Sequence, residues 1–194
     1  MAKVLLVLTN TGTSVSNLIR KFTRATYNHI SISMKEDLSE MYSFGRRNPY
    51  IMLFGGFVHE HPFRGTFKRF KNTSCKILEL NVSDESYAIM TDIVKNFVTE
   101  RKKFKYNVRG LIKARKNVNF QKSYRKFYCS QFVRYLLVCG HIIPESFFGP
   151  VVAPEDFYKV PGVEPIFEGL LSDYMKQNFP EITGDPSIEN SKYS

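Results

Sequence analysis

Residues 129 to 139, CSQFVRYLLVC, place Phe132, Val133, Leu136 and Leu137 at +3, +4, +7 and +8 from Cys129. That spacing lines one face of a helix, and Gly140 with Pro144 beyond it supplies the stop. An amphipathic helix of this length holds its shape only when another element covers its apolar face. Most of what the chain offers for that purpose is of strand length.

"KVLLVLTN" is a compact apolar run closed by Asn10, Thr11 and Gly12, and reads as a buried strand and turn. "YNHISISM" alternates, with Ile30, Ile32 and Met34 on one face and His29, Ser31 and Ser33 on the other. "KEDLS" then makes a polar turn into a return strand, "EMYSFG". If Met34 stands opposite Leu38, counting back sets His29 opposite Ser43. "NPYIMLFGGFVHEHP" and "CKILELNV" add further strands. Helical spacing reappears over Ser83 to Glu100, where Ser83 is placed to cap and Met90, Ile93, Val94 and Phe97 repeat, and in a shorter piece, "SVSNLIRKFT". Five prolines between Ile142 and Gly169 space extended pieces that wrap a core already built.

A chain of 194 residues with 43% hydrophobic content supports one packed core, expected over 1–180, with a polar tail at 181–194. Cys75, Cys129 and Cys139 form neither a disulfide framework nor a zinc spacing, so reduced thiols are expected. His59, Glu60 and His61 in "VHEHP" fall short of a metal site and read as a solvated turn. The initial apolar run is too short for a signal-peptide core, and no stretch approaches the roughly 18 apolar residues of a membrane span. A soluble, cytoplasmic protein is the expectation.

The net charge of +10 is uneven: Arg101 to Lys126 holds eleven Lys/Arg and no acidic residue. Such a block attracts anions within about 8 Å at physiological salt, or is simply a solvated face.

Chemistry concentrates on Cys129. A helix start favours thiolate because unpaired N–H groups and aligned peptide dipoles stabilise negative charge there, and Arg125 and Lys126 add to it. Cys139 follows Leu136, Leu137 and Val138 at the other end and reads as packing. A nucleophilic thiol needs a base, and His29, on the polar face of a strand, is the best placed of the four histidines.

"YNHISISM", then "FYCSQFVRYLL" and "VVAPEDFYKVPGVEPIFEG", resemble the circularly permuted NlpC-type, papain-like cysteine hydrolases of the YiiX/YaeF kind, over most of the chain to about Tyr174. Tyr128, Cys129 and Ser130 match the family's most specific motif. The resemblance implies an α+β fold, with a small antiparallel sheet or barrel packed on the cysteine helix, and hydrolysis of an amide or related acyl bond through a thioester. The wider clan includes murein peptidases and lipid acyltransferases, so the implied substrate is a small-molecule, peptide or lipid-linked acyl compound. In that family a polar residue on the strand after the histidine orients the imidazole. The hairpin count makes this Ser43; a shifted register brings Glu40 or a group from "VHEHP" instead.

The expected mechanism has Cys129 attack, His29 carry the proton, Ser43 hold the ring and the Cys129 N–H face the oxyanion, with no metal or organic cofactor required. Tyr128, Thr11, Gly12 and Arg46 are the expected substrate-binding residues, Arg46 for an anionic substrate. The alternative is a papain-like scaffold that has lost catalysis and binds nucleic acid or an anionic surface through 101–126, where Phe104, Tyr106, Phe120 and Tyr124 interleave with the basic residues.

Overall fold

A computed structural model describes residues 1–12, 26–48, 51–107 and 125–183. The expected helix at 14–23 and the middle of the basic block, 108–124, lie outside the described residues, as does the tail beyond 183.

The strands are β1 (Ala2–Asn10), β2 (His29–Ser33), β3 (Met41–Asn48), β4 (Ile51–Glu60), β5 (Ser74–Val82), β6 (Lys105–Tyr106), β7 (Lys126–Phe127) and β8 (Val163–Leu170). They form one eight-stranded sheet in the order β7-β6-β4-β3-β2-β1-β5-β8. Every neighbouring pair is antiparallel except β6 and β7. The described helices are α1 (Gly65–Arg69), α2 (Asp84–Thr99), α3 (Cys129–Cys139), α4 (Leu171–Asn178) and α5 (Pro180–Thr183). The architecture is α+β, and the sheet is larger than the small sheet or barrel expected.

The apolar run of β1 explains why the sheet has two cores. Its side chains alternate, so Val4, Leu6 and Leu8 enter one core while Leu5 and Val7 enter another. The larger core packs the sheet against α2 and α3, through Met90, Val94, Phe97, Phe132, Val133, Leu136 and Leu137. Phe44 is its aromatic centre, with ring contacts to Phe57, Phe97, Phe104, Phe127 and Phe132. The smaller core lies on the opposite face, where Phe67 of α1 and Leu171, Tyr174 and Met175 of α4 cover Met41, Cys75 and Ile77. Helix α2 starts as its sequence requires: the Ser83 hydroxyl accepts the Ser86 N–H at 3.0 Å, and Asp84 and Glu85 occupy the first turn.

The β2–β3 hairpin departs from the expected count. Its register pairs Ser33 with Met41 and Ile32 with Tyr42, two residues away from a pairing of Met34 with Leu38. Leu38 belongs to the turn, in the left-handed region at φ 56°, with its side chain fully buried in the smaller core. Burying that leucine lengthens the turn, and Met34 donates its N–H to the Glu40 carbonyl. A slip of two preserves which face each side chain occupies and changes which residue it meets.

Candidate active site

β2 and β3 stay paired only at their turn-proximal end, at Ile32–Tyr42 and Ser33–Met41. Toward the start of β2 they part, and the backbone of Ile30 turns both its polar groups toward the gap. Its carbonyl accepts the Ser43 hydroxyl at 2.6 Å, and its N–H meets the Cys129 sulfur. The start of α3 therefore inserts Cys129 where a strand ladder would otherwise continue, and the buried amide is satisfied by sulfur in place of a carbonyl.

The start of α3 is held by a short polar network. Gln131 Oε1 accepts the Tyr128 N–H at 3.2 Å and the Asn107 side-chain amide at 3.2 Å. Tyr128 is the N-cap residue, buried at 3% exposure, and Cys129 is the first helical residue. Its N–H is one of the four at a helix start that have no acceptor within the helix.

His29 opens β2, and its ring is in hydrogen-bonding contact with the Cys129 sulfur. Nε2 lies 3.1 and 3.2 Å from the two Glu60 carboxylate oxygens and donates to them. Ser31 Oγ donates to Glu60 Oε2 and lies 3.3 Å from His29 Nε2. With Nε2 committed to Glu60, Nδ1 is the nitrogen left to exchange a proton with sulfur. Cys129, His29 and Glu60 thus form a chain from the helix start to the end of β4.

The charges in this chain support one another. Burial pulls the His29 imidazole down, but the Glu60 carboxylate and the contact with Cys129 outweigh it and raise its pKa to about 10. Burial pushes the Cys129 thiol up, and the hydrogen-bonding contact with His29, the imidazolium charge, the Ile30 N–H and Ser130 together bring it below the ordinary thiol value. Glu60 is lowered in the same way, burial being outweighed by the His29 charge and by hydrogen bonds from His29 and Ser31. The groups that lower Cys129 are thus chiefly His29, the Ile30 N–H and Ser130. Cys75, by contrast, is pushed up to about 12 by burial among apolar groups and the nearby Asp173 and Glu168.

Ser43, expected to hold the imidazole, is fully buried and gives its hydroxyl to Ile30. The two-residue slip in the hairpin carries it past His29. Glu40 is 2.7 Å from Lys35 in an ion pair and is likewise not at the ring. The orienting group comes from "VHEHP": Glu60, brought over by the β3–β4 register that pairs it with Met41. His59 and His61 do not join it, since His59 Nε2 donates to the Ser39 carbonyl at 2.7 Å and His61 Nδ1 accepts the Phe63 N–H at 3.2 Å. Among the described residues, no group of three or more His, Cys, Asp and Glu side chains is arranged to hold a metal ion.

Thr11 and Gly12 leave β1 at the end where His29 pairs with Thr9. The Gly12 N–H closes on Asn10 Oδ1 at 3.0 Å, and Asn10 also ties down Thr26 and Asn28 ahead of the histidine. Arg46 is half-buried on β3, in register with Gly55. Its neighbour Arg47 donates to the Arg101 and Phe104 carbonyls.

Glu60 and Ser31 are the side chains at the His29 ring that sequence periodicity passes over. The signal for Glu60 was present: a lone carboxylate at the end of a strand rich in apolar and glycine residues. Only the β3–β4 register joins it to a histidine thirty-one positions earlier. No protein-family model, curated protein or solved structure matches the chain. Among the described residues, no helix is long and apolar enough to cross a membrane.

Proposed function

We propose that the chain is a thiol-dependent hydrolase of an amide or related acyl bond, with a permuted papain-like arrangement of its site. The observation that carries this is the chain from buried Cys129 through the half-buried His29 and Glu60, in which the thiol is lowered and the imidazole raised. Positional support comes from the site's elements: a nucleophile at a helix start, a base on a strand and an orienting carboxylate on a neighbouring strand match the division of labour in cysteine-dependent acyl transfer.

The chemistry runs in two halves. Cys129 thiolate adds to the carbonyl carbon, forming a C–S bond while the carbonyl electron pair moves onto oxygen. The Cys129 N–H is the protein donor placed to meet that oxyanion. The oxyanion collapses, the bond to the leaving nitrogen or oxygen breaks, and the leaving atom takes the Nδ1 proton of His29. Water then attacks the thioester and gives a proton to His29. The C–S bond breaks, the carboxylic product leaves and the imidazolium–thiolate pair is restored. Glu60 keeps Nε2 protonated and the ring aligned throughout, and does not itself exchange the proton.

The test is site-resolved alkylation by iodoacetamide at neutral pH, followed by labelling with acyl, peptide and lipid electrophiles. Cys129 should react faster than Cys139 and should slow in His29→Ala. Equal rates at the two thiols would overturn the proposal, and the electrophile that labels Cys129 best indicates the acyl donor.

A further inference from the structure

The face of the sheet that carries the nucleophile also carries an arginine. Along β3 the even-numbered residues Tyr42 and Phe44 enter the core beneath α3, so Arg46 shares their face by alternation. Its register partner is Gly55, and the position a Cβ would take at Gly55 lies 2.8 Å from the Tyr106 Cβ. A side chain at 55 would displace Tyr106, so the glycine lets the tyrosine lie across the sheet. Tyr106 in turn pairs with Phe127, two residues before Cys129. Arg46, Gly55, Tyr106 and the lead into Cys129 make one row across four strands.

Electrostatics agree with this placement. The Tyr106 phenol is held well above its usual range, first by burial, with the Cys129 charge raising it and the Arg46 charge opposing. Arg46 is half-buried, and among the described residues it has no carboxylate within ion-pair distance; Lys3, Lys35, Lys76, Lys95, Lys103 and Lys159 all have one. Arg47, next in sequence, is spent on backbone carbonyls. A partly desolvated guanidinium against Tyr106, on the face of the sheet that carries the thiol and with no carboxylate at ion-pair distance among the described residues, is suited to take an anion.

We infer that Arg46 binds a carboxylate of the substrate, so that the acyl compound cleaved at Cys129 is anionic close to the scissile bond. Tyr106 forms the wall between the two. This rests on the hydrolase reading for the identity of the reacting thiol, and deepens it by naming the substrate class.

The test uses pairs of alkylating agents that differ only in charge: iodoacetate with iodoacetamide, and N-iodoacetylglycine with its glycinamide analogue. In each case the thiolate displaces iodide, and the two pairs set the carboxylate at different distances from the sulfur. The readout is the rate ratio of anionic to neutral reagent at Cys129, in the unaltered protein, Arg46→Gln, Arg46→Lys and Lys105→Gln. The expected result is a fall of about tenfold in at least one ratio for Arg46→Gln, partial recovery in Arg46→Lys and no change in Lys105→Gln. Both ratios staying within twofold in Arg46→Gln, or an equal fall in Lys105→Gln, overturns the inference. A slow Cys129 in the unaltered protein counts against the hydrolase reading alone, because the ratio is measurable at any absolute rate. If Arg46→Gln fails to fold, the same ratios in Arg46→Lys decide, since a shorter cation cannot keep a bidentate grip.

Discussion

The Ser43 hydroxyl bonds the Ile30 carbonyl at 2.6 Å at the place where β2 and β3 separate, and the N–H of that same Ile30 faces Cys129. One residue's backbone thereby links the split in the sheet to Cys129. Ser43 has a structural part, since it replaces a ladder hydrogen bond that the inserted helix start removes.

That division of roles separates two variants. Ser43→Ala leaves a buried carbonyl unpaired and is expected to cost about 1–3 kcal/mol of stability, while the pH midpoint of Cys129 alkylation stays near that of the unaltered protein. A midpoint moved as far as in Glu60→Gln would return Ser43 to the proton-handling machinery. Chemical denaturation and a pH series of alkylation rates supply both numbers.

Glu60→Gln keeps the shape of the side chain and removes its charge. Without the carboxylate, the His29 pKa falls and the Cys129 pKa rises, so the alkylation curve moves to higher pH and turnover on any identified substrate drops by about 10²–10⁴-fold. An unshifted curve would mean that Glu60 does not govern the imidazole.

The same pair sets a stability window. Glu60 is lowered, so its contribution is complete above the ordinary carboxylate value of 4.5 and is lost as pH falls through its folded value. His29 is raised, so its contribution is complete below 6.5 and is lost as pH rises through about 10. Both are complete between pH 4.5 and 6.5. There Glu60→Gln should cost most, on the order of 3 kcal/mol, with the gap to the unaltered protein narrowing at more acid and more alkaline pH. A gap independent of pH in urea titrations would contradict the coupling.

Phe44→Ala removes the ring that meets five others between the sheet and α3. Calorimetry or denaturant unfolding should show a loss of about 3–5 kcal/mol. A loss below about 1 kcal/mol would mean that the aromatic core repacks freely around the gap.

Glu155 accepts the Thr26 N–H at 2.7 Å and the Tyr27 N–H at 3.3 Å, which anchors the segment that delivers His29. Glu155→Ala is expected to speed amide hydrogen exchange at 26 and 27, to slow alkylation of Cys129 and to cost about 1–2 kcal/mol. Unchanged exchange at those two amides would show that Asn10 holds the segment unaided.

What the sequence by itself determined is local. The +3, +4, +7, +8 spacing after Cys129 makes the helix and sets the thiol at its start, and the alternation of "YNHISISM" puts His29 on a face with Ser31 and Ser33. Such periodicities are properties of a few consecutive residues, which is why α2 and β5 were equally legible. Which carboxylate reaches His29 was decided only in three dimensions. It depends on Leu38 being buried in the smaller core, which lengthens the hairpin turn and carries Ser43 past the histidine. It depends also on the β3–β4 pairing that returns Glu60 to the same face. Register is a long-range quantity, chosen by which side chains the whole sheet can bury, and a strand's own pattern repeats every two residues without recording it.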